Sequence, residues 1–92
     1  MRVRWARPAT CDLDVIEAYI AEDNPSIAID VVLRVIDKVE DLLPEHPRIG
    51  RLGRVEGTRE LVIDGLPYVV IYREAAQEIQ VLRVLRDSQQ WP

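Results

Sequence analysis

The stretch from Gly57 to Pro92, GTRELVIDGLPYVVIYREAAQEIQVLRVLRDSQQWP, carries the signature of the fold. It divides into three short apolar runs separated by turn chemistry. Arg59 to Ile63 reads as a strand, and Asp64-Gly65-Leu66-Pro67 as the turn that ends it. Tyr68 to Tyr72 is apolar at every position, the pattern of a central strand covered on both faces. After a short loop, Ala75-Ala76-Gln77-Glu78, residues Ile79 to Leu85 make a last strand. Strict alternation there puts Leu82 and Val84 on one face, and Ile79, Val81, Arg83 and Leu85 on the other. If helices cover the Leu82 and Val84 face, Arg83 projects from the uncovered side.

Upstream of this stretch the periodicity changes. Arg2 and Arg4 alternate with Val3 and Trp5, the period of a half-buried strand. Leu13, Ile16, Tyr19 and Ile20 then recur at helical spacing, with Pro8 in a first turn or Thr10 as an alternative N-cap. Asp12, Asp14 and Glu17 fall early in that helix, where the dipole favours acids. Asn24 caps a second helix and Pro25 occupies its first position. Ala28, Val31, Val32, Val35, Ile36, Val39, Leu42 and Leu43 form one apolar stripe along it, and Pro44 stops it. Asp30 and Arg34 are spaced as an i,i+4 ion pair, worth about 0.2–0.5 kcal/mol. A chain of 92 residues needs that stripe for its own core.

Between the halves, residues 44–58 form a connection punctuated by Pro and Gly, carrying Arg48, Arg51 and Arg54 at three-residue intervals. Cations held on such turns can meet a phosphate or an acidic partner. His46, the one histidine, sits there between Glu45 and Pro47 and is expected to be exposed.

Composition sets the outer bounds. With 48% hydrophobic and 30% charged residues the chain is ordinary globular material, one domain spanning 1–92. No run approaches the roughly 18 apolar residues of a membrane span. The opening residues lack the apolar stretch of a signal peptide, and Cys11 is alone, which together suit a reducing cytoplasm. Cys11 is expected to be a buried or half-buried bystander. The net charge of −4 is unevenly spread: ten of the sixteen acids lie in 11–45, and seven of the twelve cations lie in 46–92. An acidic chain is a poor non-specific binder of nucleic acid, so any polyanion contact is confined to the arginine-bearing part.

The order β-α-α-β-β-β implies an α+β fold, a helical hairpin packed on one face of a mostly antiparallel four-stranded sheet. On its motifs the chain resembles the RelE/ParE superfamily, the toxins of type II toxin–antitoxin pairs. The pattern G-x-R-x-L-x-x-x-x-Y-x-x-x-Y-R, followed by R-V-L-H-G and a closing W-P, is filled by Gly57, Arg59, Leu61, Tyr68, Tyr72, Arg73, Arg83, Val84, Leu85, Trp91 and Pro92. Arg86-Asp87 replaces His-Gly. The helical half also resembles the family opening, through Trp5, Asp12, Leu13, Ile16, Tyr19, Ile20, Ala21, Glu22, Asn24 and Pro25.

The resemblance implies one of two activities. RelE-like members are ribosome-dependent mRNA endonucleases, or mRNA interferases, and ParE-like members act on DNA gyrase without nuclease chemistry. RNA cleavage through the 2′-hydroxyl needs a base, an acid and cations for the phosphorane charge. With Tyr68 and Tyr72 as anchors, Glu60 and Val62 stand where RelE-like enzymes place lysines, and Val69 where they place an arginine. Arg86 occupies the histidine position and stays protonated, so it cannot shuttle a proton. The resemblance therefore favours the ParE-like branch: a gyrase inhibitor, neutralised by a cognate antitoxin, associated with plasmid stabilization and growth inhibition. It implies no catalytic residue, cofactor, metal or membrane partner, and no sequence-specific nucleic-acid binding by the toxin alone. Target contact is expected from Arg83, Arg86, Arg59 and Arg73, with Gln89, Gln90 and Trp91 in the tail. Arg83 has an alternative role in a salt bridge to Glu60 or Glu74, and Trp91 as a plug over the core edge. The alternatives are a RelE-like endonuclease with an arginine-only site, or a degenerate toxin kept as a binding scaffold.

Overall fold

A computed structural model describes residues 1–92. The elements are β1 (Arg2–Trp5), α1 (Arg7–Ala21), α2 (Pro25–Leu42), β2 (Arg51–Leu52), β3 (Arg59–Val62), β4 (Tyr68–Ala75) and β5 (Glu78–Arg86). The strands form one sheet in the order β1-β5-β4-β3-β2, antiparallel except for β1, which runs parallel to β5. The fold is α+β as expected, but the sheet has five strands where four were expected. The fifth, β2, is two residues inside the 44–58 connection, too short to show any periodicity. Arg51 pairs with Glu60 in the ladder, and their side chains meet at 2.9 Å.

The two helices start differently. Asn24 caps α2 through its side-chain oxygen, which accepts from the Ile27 N–H at 3.2 Å, with Pro25 just inside. α1 begins earlier than the Thr10 reading allows. Its N-cap is Ala6, which has no side-chain cap, and the Thr10 hydroxyl donates instead to the Arg7 carbonyl. No acid lies in its first turn, so Asp12, a turn further on, is released for another contact. The Asp30–Arg34 pair does not form. Arg34 reaches across to the Asp64 carbonyl at 3.0 Å, and with Lys38 near the Asp64 carboxylate it ties α2 to the β3–β4 turn.

The apolar stripes close onto one sheet face. Ala9, Leu13 and Ile16 from α1, and Val31, Val35 and Val39 from α2, pack with Leu43, Leu61, Val70, Tyr72, Ile79, Val81 and Val84. Tyr68 to Tyr72 is buried throughout and β4 is the middle strand, as its unbroken apolar run implies. Cys11 falls off the α1 stripe and is exposed, against expectation.

A β-bulge resets the faces of β5. Ile71 pairs with Arg83 and Tyr72 with Val81, which leaves Leu82 without a partner on β4. The extra residue breaks strict alternation. Ile79, Val81 and Val84 all enter the helix-side core, while Leu82 packs with Val69, Ile71 and Leu85 on the opposite face. Leu82 and Val84 therefore do not share a face. No helix is long and apolar enough to cross a membrane.

Candidate functional site

The sheet face turned away from the helices holds a second, smaller apolar cluster. Val69, Ile71 and Leu85 are buried there, and Trp91 of the tail packs against them half-buried. Trp91 thus packs as a plug over this sheet face and keeps part of its ring in solvent. The tail folds back because the Arg86 N–H donates to Gln89 Oε1 at 2.8 Å, while the Gln89 N–H donates to the Arg86 carbonyl at 3.0 Å. These bonds place Arg86, Gln89, Gln90 and Trp91 around one polar-walled cleft of about 100 Å³. Four of the seven expected contact residues are therefore neighbours.

The other three are engaged elsewhere. The register puts Arg83 opposite Ile71, on the face away from the helices, but its guanidinium is claimed by α1. Nε and Nη2 of Arg83 donate to the two carboxylate oxygens of Asp12 at 2.8 and 2.9 Å. The salt bridge expected for Arg83 exists, with Asp12 in place of Glu60 or Glu74. The same carboxylate accepts the Val84 N–H at 2.9 Å. β1 ends at Trp5, opposite Val81, so beyond that point β5 has a free edge, and Asp12 supplies the acceptor that a strand would have given. Asp12 also raises the pKa of Arg83, holding its charge more firmly.

Arg59 donates to the carbonyls of Arg48 and Gly50 at 3.2 and 2.8 Å, fixing the 44–58 connection against β3. Arg73 donates to Gln80 Oε1 at 2.8 Å. Gln80 in turn donates to Glu78, which also receives Arg4, so Arg73 belongs to a polar ladder near the β4–β5 turn. It lies five residues along β4 from Tyr68, the partner of Arg86, a span of about 17 Å.

Sequence reading missed Asp12 as the partner of Arg83. It singled out Arg54 only as one of three loop cations, without joining it to the tail, whose cleft Arg54 lines from the β2–β3 connection. The regular arginine spacing in 44–58 was the available signal for Arg54. Nothing local marks Asp12, since its partner is 71 residues away. His46 is exposed and borders a separate shallow cavity with Pro47, Arg48 and Ile49. The Tyr72 hydroxyl donates to the Pro47 carbonyl at 2.8 Å and accepts the Gly50 N–H at 3.0 Å. Burial raises its pKa above 10.0, so it stays a neutral phenol at physiological pH.

A larger groove of about 400 Å³ runs between α1 and the end of β5. Val15 and Tyr19 line it from α1 and are two-thirds exposed, and Tyr68, Val84 and Arg86 line it from the sheet. Arg86 stands on the ridge between groove and cleft.

Residues 3–91 match the family model described as ParE toxin of type II toxin-antitoxin system, parDE. A Sinorhizobium fredii protein, Y4kP, described as a candidate toxin, is 44% identical over 91 residues, covering 99% of this chain and 93% of its own length. Among solved structures, a chain of the chromosomal ParDE TA system from P. aeruginosa superposes with a TM-score of 0.84 at 32% identity. That match covers 94% of this chain and 95% of the other.

Proposed function

The chain belongs to the ParE toxin family of type II toxin–antitoxin systems, and we propose that it inhibits DNA gyrase by binding, in the cytoplasm, until a cognate antitoxin neutralises it. The observation that carries this reading is the register of β3 against β4. Glu60 lies opposite Ile71 and Val62 opposite Val69, so an acid and apolar side chains occupy the positions where the resemblance places the cations of a nuclease. Of the arginines, Arg83 and Arg59 are tied to Asp12 and to backbone carbonyls. Arg86 has an exposed guanidinium with no carboxylate partner, flanked by exposed Gln89 and Gln90. Such a surface suits recognition of a partner by charge-assisted hydrogen bonds.

Arg86 with Gln89, Gln90 and Trp91 is the proposed centre of the gyrase contact. Arg83 acts by holding the end of β5 in place, and Arg59 and Arg73 act at the periphery. The antitoxin is proposed to wrap an extended segment over the toxin, gaining its interface as it folds. The groove between α1 and β5, with exposed Val15 and Tyr19, offers apolar surface of the kind such a segment buries.

The test pairs supercoiling by purified gyrase with primer extension on translating mRNA, each with and without the chain. The gyrase reading expects loss of supercoiling, accumulation of gyrase-linked double-strand breaks and intact mRNA. Arg86→Ala should weaken all gyrase effects with little change in melting temperature. Codon-phased mRNA cuts beside unaffected gyrase would restore the endonuclease alternative. A harmless protein at high expression would favour the scaffold alternative.

A further inference from the structure

The cleft beneath the tail is built differently from the rest of the surface. Its floor is Val69, Ile71 and Leu85, and cations stand on two flanks of it. Arg51 and Arg54 come from β2 and the connection after it, and Arg86 comes from the end of β5. In a sheet ordered β5-β4-β3-β2, those flanks are separated by two strands. Arg51 is neutralised by Glu60 at 2.9 Å. Arg54 and Arg86 are exposed and form no salt bridge, and Asp87 is the one lining carboxylate without a cation partner. The cleft therefore keeps a net positive charge in a chain whose total is −4. Gln89 spends its Oε1 on the Arg86 N–H, which fixes the amide and leaves Nε2 to donate.

We propose that the cleft between Arg54 and Arg86 is a binding site for one phosphate group, supplied either by the backbone of single-stranded nucleic acid or by free inorganic phosphate. The volume, about 100 Å³, holds a single tetrahedral oxyanion and not a whole nucleotide. A tetrahedral anion presents oxygens in several directions at once, which suits guanidinium donors arriving from opposite flanks and an amide donor from the tail. A planar carboxylate presents its acceptor sites in one plane only, and so meets donors converging in three dimensions less completely. In a nucleic-acid chain the adjoining base would lie outside the cleft, where the half-buried ring of Trp91 is the neighbouring apolar surface.

The site is tested by recording amide and indole NMR signals of the full chain during titration with sodium phosphate, against sodium chloride at equal ionic strength. A short oligothymidylate forms a parallel arm. Saturable movement confined to Arg54, Arg86, Gln89 and Trp91 is expected with phosphate. Arg54→Ala and Arg86→Ala should each weaken it by about tenfold or more, while Arg48→Ala, outside the cleft, should leave it unchanged. Saturation by the oligonucleotide at lower concentration identifies a chain phosphodiester as the source, and saturation by phosphate alone identifies the free anion. Movement equal in chloride, or binding that survives both cleft variants, overturns the site. Because no gyrase is present, that failure leaves the gyrase reading standing, and loss of gyrase inhibition would not touch this result.

Discussion

Asp12 of α1 grips Arg83 of β5 at two points, 2.8 and 2.9 Å, across 71 positions of sequence. The same carboxylate completes the hydrogen bonding of Val84, just past the bulge at Leu82. One side chain thus joins the helical layer to the strand that leads into the tail, and orders the element on which Arg86 is carried.

A double-mutant cycle measures this joint. Arg83→Ala should cost about 1–2 kcal/mol, held to that by the partial exposure of the pair. Asp12→Ala should cost about 1 kcal/mol more, because it also orphans the Val84 N–H. Arg83→Ala made on top of Asp12→Ala should then cost almost nothing. Additive losses in chemical denaturation would show that the two residues act separately.

Val35, on the core-facing stripe of α2, is fully buried. Val35→Asp places an unpaired carboxylate in the core at a cost of several kcal/mol, a large part of a small domain's stability. The variant should be unfolded or aggregated by circular dichroism at room temperature. An unchanged melting temperature would mean that this face is not core.

The β4–β5 hairpin turns on Ala76 and Gln77, with φ of 53° and 61°, a left-handed pair that glycine and asparagine adopt more readily. The double change Ala76→Asn, Gln77→Gly should therefore stabilise the domain by about 1–2 kcal/mol. In a domain of this size that corresponds to a rise in melting temperature of about 4–8 °C per kcal/mol. A lowered melting temperature would indicate that Gln77 makes a contact worth more than the strain.

Tyr72 gives the fold an alkaline limit. Burial raises its pKa in the folded state above the ordinary 10.0, against smaller lowering effects from Gly50 and Arg59. The folded state therefore holds this proton more tightly than the unfolded chain. The resulting stability is complete below pH 10.0 and is lost as pH rises through the raised folded value. Phenolate absorbance during alkaline titration should show one tyrosine ionising late, together with unfolding, and Tyr72→Phe should remove that step. A titration in which the late step persists in Tyr72→Phe would reassign it.

The elements and their layering are written locally in the chain. The helical stripe through Val31, Val35 and Val39, the cap at Asn24 and the unbroken apolar run Tyr68 to Tyr72 each encode their structure within a few residues. Periodicity and capping act over short spans, so they are legible without knowledge of the fold. The tail is singled out as a candidate contact surface by the resemblance to the toxin family, not by its local pattern. The bulge at Leu82, the two-residue strand at Arg51, and the partners of Arg83 and Arg34 emerge only when the chain is packed. Each of these depends on which backbone group or carboxylate arrives from a distant element. Strict alternation could not reveal a residue inserted without a partner, and charge spacing along a helix could not show that Asp12 is needed at a strand edge left open where β1 ends. Packing brings such groups within hydrogen-bond reach, and an unsatisfied donor at a partly buried edge costs more than an exposed ion pair returns.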